Sequence, residues 1–202
     1  METQTLAGRT IAVPETRELD LFAALLERRG AQVLRCPLVA IRDAADPAPV
    51  LTFSRRFAEG ACDDLILLTG EGLRRLLSCI ERHEPALRPE FLAQLAKVRK
   101  ITRGPKPARA LHELGLKPDI AAQVPTTAGV IAALQPIAFT LEGRSFGVQL
   151  YGNEPNLPLI EFLHGCGAGV LTVAPYSYAD SADDAAVLEL LARLEAGRID
   201  AM

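Results

Sequence analysis

Three short polar loops contain the residues whose types and spacing could do chemistry. Each loop follows an apolar run and leads toward a helix start. There, unpaired backbone N–H groups and the positive end of the helix dipole favour carboxylates or phosphates. The loops are Thr69, Gly70, Glu71 and Gly72; Arg103, Gly104, Pro105 and Lys106; and Gly152, Asn153 and Glu154. They predict anion-binding sites, although turn geometry alone would also explain their glycines.

Basic residues are expected near these loops. Arg103 and Lys106 flank a predicted helix start, which suits an anionic ligand. The other candidates are Arg17, Arg109 and Arg144, and the alternative for each is a solvated surface charge. The net charge of the chain is −3, which argues against nucleic acid as the partner but leaves room for a local basic cleft.

Two of the three tyrosines, Tyr176 and Tyr178, lie in one short segment between predicted elements. A tyrosine at this point could face a cleft between domains and donate a proton to a substrate. Packing at a hinge is the alternative for both residues, and the sequence does not decide between these roles.

The familiar cofactor and nucleophile motifs are missing from the sequence. It contains no G-x-x-x-x-G-K-[ST] loop, no G-x-G-x-x-G after a strand and no G-x-S-x-G elbow. None of the four cysteines forms C-x-x-C, and none of the three histidines belongs to a metal motif. We therefore expect no cofactor and no metal, and we expect reduced thiols that are mostly buried.

Composition is that of a globular protein. Of 202 residues, 49% are hydrophobic and 23% are charged, and no apolar run reaches the roughly 18 residues of a membrane span. The first residues lack the apolar stretch of a signal peptide. These features predict a cytoplasmic protein without a membrane partner.

Strand and helix signals alternate along the chain, which predicts an α/β fold with parallel sheets. Thr16 is the expected N-cap of the first helix, and residues 181–184 resemble a capping box before the last. The polar, proline-rich stretch 41–49 predicts a linker or domain crossing. The predicted strands are 9–13, 31–34, 64–68, 97–102 and 119–122. The residues expected to be buried in the sheet are Leu65, Ile66, Leu67, Ile101 and Val148.

The opening pattern of the sequence returns near its end. Residues 8–13 are matched by 143–148, and residues 25–34 are matched by 162–171. Each copy predicts a β-α-β unit, so the chain is expected to contain two related α/β halves; a general likeness among β-α-β units is the alternative. The equivalent helix ends would be Gly30 and Gly167.

The order of these pieces resembles the uroporphyrinogen-III synthase family along essentially the whole chain. The likeness includes the strand and loop 64–73, which is similar to that family's strand–Thr-Ser passage. Residues 104–119 look like its G-P-x-T-A-x-x-L…G-L-x-P-D passage, and 125–129 look like its P-T-x-x-G/L step. Each motif is loose, and their order carries the resemblance.

The resemblance implies a cofactor-free cytosolic enzyme of tetrapyrrole biosynthesis. Such enzymes close hydroxymethylbilane to a macrocycle, with inversion of ring D and loss of water. The substrate carries an acetate and a propionate on each ring, so helix starts and basic groups suit it. The implied catalytic candidates are Tyr178 and Tyr176, although the family's tyrosine position falls on Ser177 between them. The implied substrate-binding residues are the loop residues named above other than Glu154, together with Thr126, Thr127 and Arg17.

Two α/β domains are expected from the resemblance. The first combines residues 1–38 and 179–202, the second spans 50–173, and 39–49 and 174–178 are linkers. The sequence stops at Met202, before the family's closing passage, so we expect an incomplete first domain and poor activity of this chain. A monomer is expected, with self-association if the first domain is incomplete.

A second reading of the same features is a non-catalytic, synthase-like ligand-binding or regulatory domain of a longer or fused protein. Gly70 favours it, because Thr69-Gly70 stands where the family has a Thr-Ser pair and one hydroxyl donor is lost.

Overall fold

The computed structural model of the chain describes residues 5–16, 18–180 and 184–202. Helices and strands alternate along most of this length, as the sequence predicts. The helices are α1 Leu19–Arg28, α2 Ala48–Ala58, α3 Gly70–His83, α4 Leu87–Lys97, α5 Pro105–His112, α6 Thr127–Leu134, α7 Leu157–Gly165 and α8 Asp184–Glu195, with a 3-10 helix at Gln135–Thr140. The strands are β1 Thr10–Val13, β2 Gln32–Arg35, β3 Val39–Asp43, β4 Asp64–Leu67, β5 Arg99–Thr102, β6 Ile120–Ala121, β7 Ser145–Gln149, β8 Gly169–Val173 and β9 Tyr176–Asp180.

The chain divides into two compact units. Unit 1 comprises Met1–Arg42 and Tyr178–Met202, and unit 2 comprises Asp43–Ser177. The strands β3 and β9 run through the two points where the chain passes from one unit to the other, and they pair in a two-stranded sheet.

Unit 2 is built on a five-stranded sheet in the order β6-β5-β4-β7-β8. Every neighbouring pair is parallel, which confirms the predicted α/β fold with a parallel sheet. The five residues predicted to be buried in it, Leu65, Ile66, Leu67, Ile101 and Val148, are each at most 1% exposed.

Helices cover both faces of this sheet. Leu65 and Leu67 of β4 pack with residues of α2, α3, α4 and α5 on one face. Ile66, with Leu68 just after the strand, packs with residues of α6 and α7 on the other. Because side chains alternate along a strand, a strand covered on both faces buries every residue, and β4 therefore has no polar face.

Unit 1 contains the parallel pair β1–β2 with α1 and α8. Its core is small and includes Ala12, Cys36 and Leu190. The backbone at Ala201 forms a parallel bridge with Ile11, which extends the pairing of β1 on its second side.

Both predicted β-α-β units are present, with the predicted glycines at equivalent helix ends. β1-α1-β2 and β7-α7-β8 are both β-α-β units with parallel strands. Gly30 and Gly167 both take positive φ, 92° and 75°, two residues after the helix ends. The next N–H donates back across six residues in both cases, from Ala31 to Leu26 O and from Ala168 to Leu163 O. This is the Schellman motif, and it ends both α1 and α7.

One local prediction is wrong, and another is refined. Thr16 does not cap α1: Glu18 takes the N-cap position with a left-handed φ of 52°, and the Thr16 hydroxyl instead donates to Val39 O. The stretch 41–49, predicted as a linker or domain crossing, contains the point after Arg42 where the chain passes from unit 1 to unit 2, but it is mostly regular structure, since β3 extends to Asp43 and α2 begins at Ala48. Proline is compatible with the first turn of a helix, so Pro47 and Pro49 start α2 rather than prevent it. Of the predicted capping box, residues 181–183 lie outside the described residues.

Candidate functional site

The strand order of unit 2 places a crevice at the carboxyl ends of β4 and β7. From β4 the chain continues outward to β5 and β6 on one side of the sheet, then returns to β7 and β8 on the other. The helix after β4, α3, packs on one face, and the helix after β7, α7, packs on the opposite face. In open parallel sheets, ligands bind where the strand order reverses in this way. The residues that follow β4 and β7 therefore define the candidate site.

Thr69 joins β4 to α3 and caps the helix. Its backbone is extended (φ −142°, ψ 148°), and its Oγ1 accepts a hydrogen bond from Gly72 N at 2.9 Å. An N-cap threonine satisfies one of the helix's free N–H groups and fixes the direction in which the chain leaves the sheet. The sequence prediction of a helix start at this loop is confirmed.

Gln149, the last residue of β7, is the site residue that sequence reasoning missed. Its side chain is fully buried. Oε1 accepts a hydrogen bond from Thr69 N at 3.1 Å, and Nε2 lies 3.4 Å from Thr69 Oγ1 and also donates to Leu150 O. Because the backbone N–H of Thr69 can only donate, it assigns Oε1 as the acceptor and so fixes the orientation of the amide.

Tyr176 lies against the same threonine. Its side chain has no exposed surface, and its hydroxyl oxygen lies 3.1 Å from Thr69 Oγ1, where either hydroxyl could be the donor. A tyrosine from the start of β9 and a threonine from the end of β4 are thus joined by a hydrogen bond. Tyr178, the other tyrosine predicted to be catalytic, is 37% exposed and belongs to unit 1.

Gly70 lets the starts of α3 and α5 approach closely. A Cβ at this position would lie 2.6 Å from the carbonyl oxygen of Lys106. No side chain fits in that space, which explains physically why glycine stands here. The loops around Thr69 and Lys106, predicted separately to bind anions, are therefore in contact.

A second close approach connects α5 to the start of α6. A Cβ at Gly104 would lie 2.9 Å from Pro125 Cβ. Thr126 caps α6 and accepts a hydrogen bond from Gly129 N at 3.0 Å, and Thr127 is the first residue of the helix. The starts of α3, α5 and α6 therefore follow one another along the carboxyl edge of the sheet, beyond β4, β5 and β6.

Arg103 and Tyr151 pair above this edge. The Arg103 guanidinium carbon lies 5.0 Å from the centre of the Tyr151 ring, within the range of a cation–π contact. Gly152 follows with a φ of 56°, and Asn153 lies inside the tight bridge between Tyr151 and Glu154. The loop does not lead directly into a helix as predicted, because α7 begins at Leu157.

Glu71 has a partner within the protein. Its carboxylate accepts a hydrogen bond from Arg75 Nε at 2.7 Å, and Arg75 also donates to Asp43 Oδ1 at 2.7 Å. Arg82 forms an ion pair with Asp43 as well, at 2.7 Å. Burial alone would raise the pKa of Asp43, but the hydrogen bonds from Arg75 and Arg82 outweigh it and lower that pKa. This network ties the end of β3 to α3.

Two of the basic residues expected near the loops lie elsewhere. Arg144 precedes β7, at the amino edge of the sheet, and pairs with the buried Asp64 at 2.7 Å. The prediction that it lies near the loops is wrong, because it comes before its strand rather than after it. Arg109 is in the last turn of α5, away from the helix start. Arg17 lies outside the described residues.

The cysteines behave as small apolar residues. All four are free, and Cys36, Cys62 and Cys79 are buried, which confirms the prediction that most of them are buried. Burial raises the pKa of the Cys62 thiol to about 11, so little thiolate exists at neutral pH. In the ranges that the structure describes, no three His, Cys, Asp or Glu side chains are grouped to hold a metal ion. No helix of the described part of the chain is long and apolar enough to span a membrane.

Comparison with known proteins gives consistent matches. A family model described as uroporphyrinogen-III synthase HemD matches residues 20–202. A curated relative, "Uncharacterized protein YjjA" of Bacillus subtilis (strain 168), is 32% identical over 173 residues. The match covers 86% of this chain and 62% of the relative, so the chain spans about three fifths of that protein's length.

Solved structures of uroporphyrinogen III synthase from the extremely thermophilic bacterium Thermus thermophilus are also similar. A mutant form superposes with a TM-score of 0.68 at 30% identity, covering 96% of this chain and 71% of that one. The wild-type enzyme gives a TM-score of 0.57 at 31% identity, with 96% and 70% covered. Agreement in sequence and in fold leads to one conclusion: the chain belongs to the uroporphyrinogen-III synthase family.

Proposed function

We propose that this protein is a cytoplasmic uroporphyrinogen-III synthase that closes hydroxymethylbilane to a macrocycle with inversion of ring D and loss of water. The observation that carries the proposal is the hydrogen-bonded pair Thr69–Tyr176 at the crevice where the strand order reverses. Membership of the family supports the same reaction and the same tetrapyrrole substrate.

The carboxyl edge of unit 2 would bind the substrate's carboxylates. Three helix starts, those of α3, α5 and α6, present backbone N–H groups at this edge. Arg103 and Lys106 add positive charge, and neither forms an ion pair with an acidic side chain among the described residues. The residues proposed to bind substrate are Thr69, Gly70, Gly72, Arg103, Gly104, Pro105, Lys106, Thr126, Thr127, Gly152 and Asn153.

Tyr176 is the better of the two tyrosine candidates for the proton donor, acting through Thr69. Since Tyr176 is buried and Thr69 is only partly buried, a proton would pass from Tyr176 Oη to Thr69 Oγ1 while the threonine hydroxyl proton goes to the substrate. The substrate's terminal C–O bond then breaks, its hydroxyl leaves as water, and electrons from the pyrrole nitrogen form an azafulvenium cation, with Tyr176 left as the phenolate; loss of the pyrrole N–H proton gives the neutral azafulvene. Loss of water from this centre needs little acid catalysis. The larger contribution to the reaction is therefore the positioning of ring D, so that closure with inversion is faster than closure without it.

The direct test supplies fresh hydroxymethylbilane and separates type I from type III product. The proposal expects type III product above the spontaneous background, at the low rate expected of this chain. It also expects Tyr176→Phe and Thr69→Val to lower the rate by about tenfold, less than the 10²–10⁴ typical of a strong general acid. Thr102→Val is the matched control, because Thr102 is a threonine at the carboxyl end of the neighbouring strand β5 whose buried hydroxyl has no hydrogen-bond partner among the described residues. A larger loss in Tyr178→Phe than in Tyr176→Phe would assign the donor to Tyr178 instead.

A non-catalytic, tetrapyrrole-binding member of the family is the second candidate. The observation that favours it is the closeness of Lys106 O to Gly70, which leaves no room at this position for the family's hydroxyl side chain. Binding of a uroporphyrin without type III product would support this candidate against the synthase. If the protein neither binds the uroporphyrin nor forms type III product, both candidate functions are contradicted.

A further inference from the structure

We propose that Gln149 is a positioning residue that sets the geometry of the Thr69–Tyr176 pair. Its part in catalysis rests on the proposed function, but its structural role does not. Gln149 is fully buried at the carboxyl end of β7, yet it is one of the few buried polar residues of unit 2. A buried amide is retained where its hydrogen bonds do something that an apolar side chain could not.

The amide holds Thr69 at two atoms. Oε1 accepts from Thr69 N at 3.1 Å, which fixes the backbone, and Nε2 lies 3.4 Å from Thr69 Oγ1, which limits rotation of the hydroxyl. The remaining amide proton bonds to Leu150 O and ties the side chain to its own strand. These hydrogen bonds fix the position of Thr69 relative to β7 as well as to β4, the two strands at which the sheet order reverses.

Because Thr69 is hydrogen-bonded to Tyr176, fixing the Thr69 hydroxyl also fixes the geometry of that bond. Its Oγ1 receives Gly72 N at 2.9 Å and lies 3.1 Å from the Tyr176 hydroxyl. A hydroxyl has one proton and two acceptor lone pairs: Gly72 N–H takes one acceptor site of Thr69, and the longer contact from Gln149 limits rotation of the hydroxyl, so that the other site can receive the Tyr176 proton while the Thr69 proton is left for the substrate. Without the amide, the Thr69 hydroxyl loses the contact that limits its rotation, and the direction of the Thr69–Tyr176 hydrogen bond is no longer set.

Packing supports the assignment independently of the hydrogen bonds. A Cβ at Gly72 would collide with the Gln149 amide, so the absence of a side chain in the first turn of α3 makes the space that the amide fills. The glutamine is thus enclosed by the capping turn whose geometry it supports.

The first arm of the test is spectroscopic and does not depend on activity. Because the chain has three tyrosines, carbon-13 at the ring Cζ gives three signals, which Tyr151→Phe and Tyr178→Phe assign. The proposal expects Gln149→Met, which keeps the length of the side chain, to shift the Tyr176 signal in the same direction as Thr69→Val. The two shifts should be non-additive in the double variant, and Thr102→Val should leave the signal in place. An unchanged Tyr176 signal in Gln149→Met would overturn the proposal.

The second arm measures synthase kinetics in the same variants. Gln149→Met is expected to lower kcat by about 10- to 100-fold with KM changed by less than about threefold, as for a small misplacement of a reacting group. An unchanged kcat alongside an active wild type would contradict the positioning role. If the wild type itself forms no type III product, the proposed function fails, and the spectroscopic arm still decides whether Gln149 orients Tyr176.

A further variant covers the case in which Gln149→Met does not fold. Gln149→Glu keeps an acceptor for Thr69 N–H, and so should retain the capping turn while removing the donor to Thr69 Oγ1. The Tyr176 signal should then shift less than in Thr69→Val but in the same direction. No shift, or one in the opposite direction, would count against the proposal.

Discussion

Gly72 and Gln149 compete for one volume, and this makes their coupling measurable. In the wild type, Gly72→Ala places a methyl group on the buried amide, and overpacking of this kind costs about 1–3 kcal/mol. When Gln149→Ala has cleared the space, the same change should become neutral or stabilising, since alanine in a helix is favoured over glycine by about 1 kcal/mol. Urea unfolding of the four proteins in the cycle measures the coupling. Equal effects of Gly72→Ala in both backgrounds would show that the two residues do not touch in solution.

Thr69, Gly72 and Gln149 show which site residues the sequence can predict and which it cannot. Thr69 and Gly72 were predicted because a glycine-containing loop between an apolar strand and a helix start favours an anionic ligand. Gln149 was not, since a single glutamine inside an apolar strand matches no motif, and its partner lies 80 residues earlier in the chain. Only the parallel register of β4 and β7, with Leu67 opposite Gln149, brings it beside Thr69.

At the scale of elements, three strands are joined at their amino ends by one carboxylate. Asp64 of β4 is fully buried and pairs with Arg99 of β5 and with Arg144 just before β7. Removing the charge leaves two guanidinium groups without their partner, and breaking a buried pair in this way costs about 3–5 kcal/mol. Asp64→Asn should therefore lower the free energy of unfolding by about that amount.

The matched control is Glu113→Gln. Glu113 makes a two-point bond to Arg74, at 2.6 and 2.9 Å, but both side chains are roughly half exposed. Exposed pairs contribute about 0–1 kcal/mol, so Glu113→Gln should change the free energy of unfolding, measured with urea, by no more than that amount. Similar losses in the two variants would show that burial does not decide the strength of these ion pairs.

The end of β3 is held to α3 by an ion pair that acid should release. The pKa of Asp43 is lowered by Arg75 and Arg82 against the opposing effect of burial. A lowered folded-state pKa means that the carboxylate stabilises the folded protein fully above its ordinary pKa of 3.8, and that this contribution is lost as pH falls through the lowered value. Below about pH 4, the free energy of unfolding of Asp43→Asn should therefore fall less steeply with decreasing pH than that of the wild type. An acid limb of unchanged steepness, followed by circular dichroism, would exclude Asp43 as a contributor.

Elements were predicted well where local chemistry decides them and poorly where packing does. The strands of unit 2 follow from apolar runs, and the two Schellman turns follow from Gly30 and Gly167. Helix α2 is missed because Pro47 and Pro49 favour a linker over a helix, although Pro49 lies in its first turn, and no signal in the sequence analysis assigns α4. Their burial against the sheet, through Phe57 of α2 and Phe91 of α4 among others, outweighs local preference.

At the scale of the whole molecule, charge is distributed unevenly. The chain has 22 basic and 25 acidic residues, and many of the basic ones are neutralised in ion pairs. Within the described ranges Arg103 and Lys106 are not, and both lie where helix starts add to the positive potential. On the proposed function, this edge can attract a polycarboxylate even though the protein as a whole is acidic.

That charge distribution leads to a binding prediction with a charge-matched control. Removing both cations in Arg103→Ala/Lys106→Ala should weaken uroporphyrin binding by about 0.5–2 kcal/mol, an affinity loss of about 2- to 30-fold, because exposed charge pairs contribute little singly. The same double variant should reduce the dependence of affinity on salt, since fewer screened contacts remain.

The control Lys97→Ala/Lys117→Ala removes the same net charge at the opposite edge of the sheet, where Lys97 ends α4 and Lys117 precedes β6. If binding responds to overall charge, the two double variants will weaken it equally. If the carboxyl edge binds the carboxylates, only the first will, because a charge more than a Debye length of about 10 Å away is largely screened at 0.1 M salt. Equal affinities of wild type and Arg103→Ala/Lys106→Ala in a fluorescence titration would remove the anion-binding role from this loop.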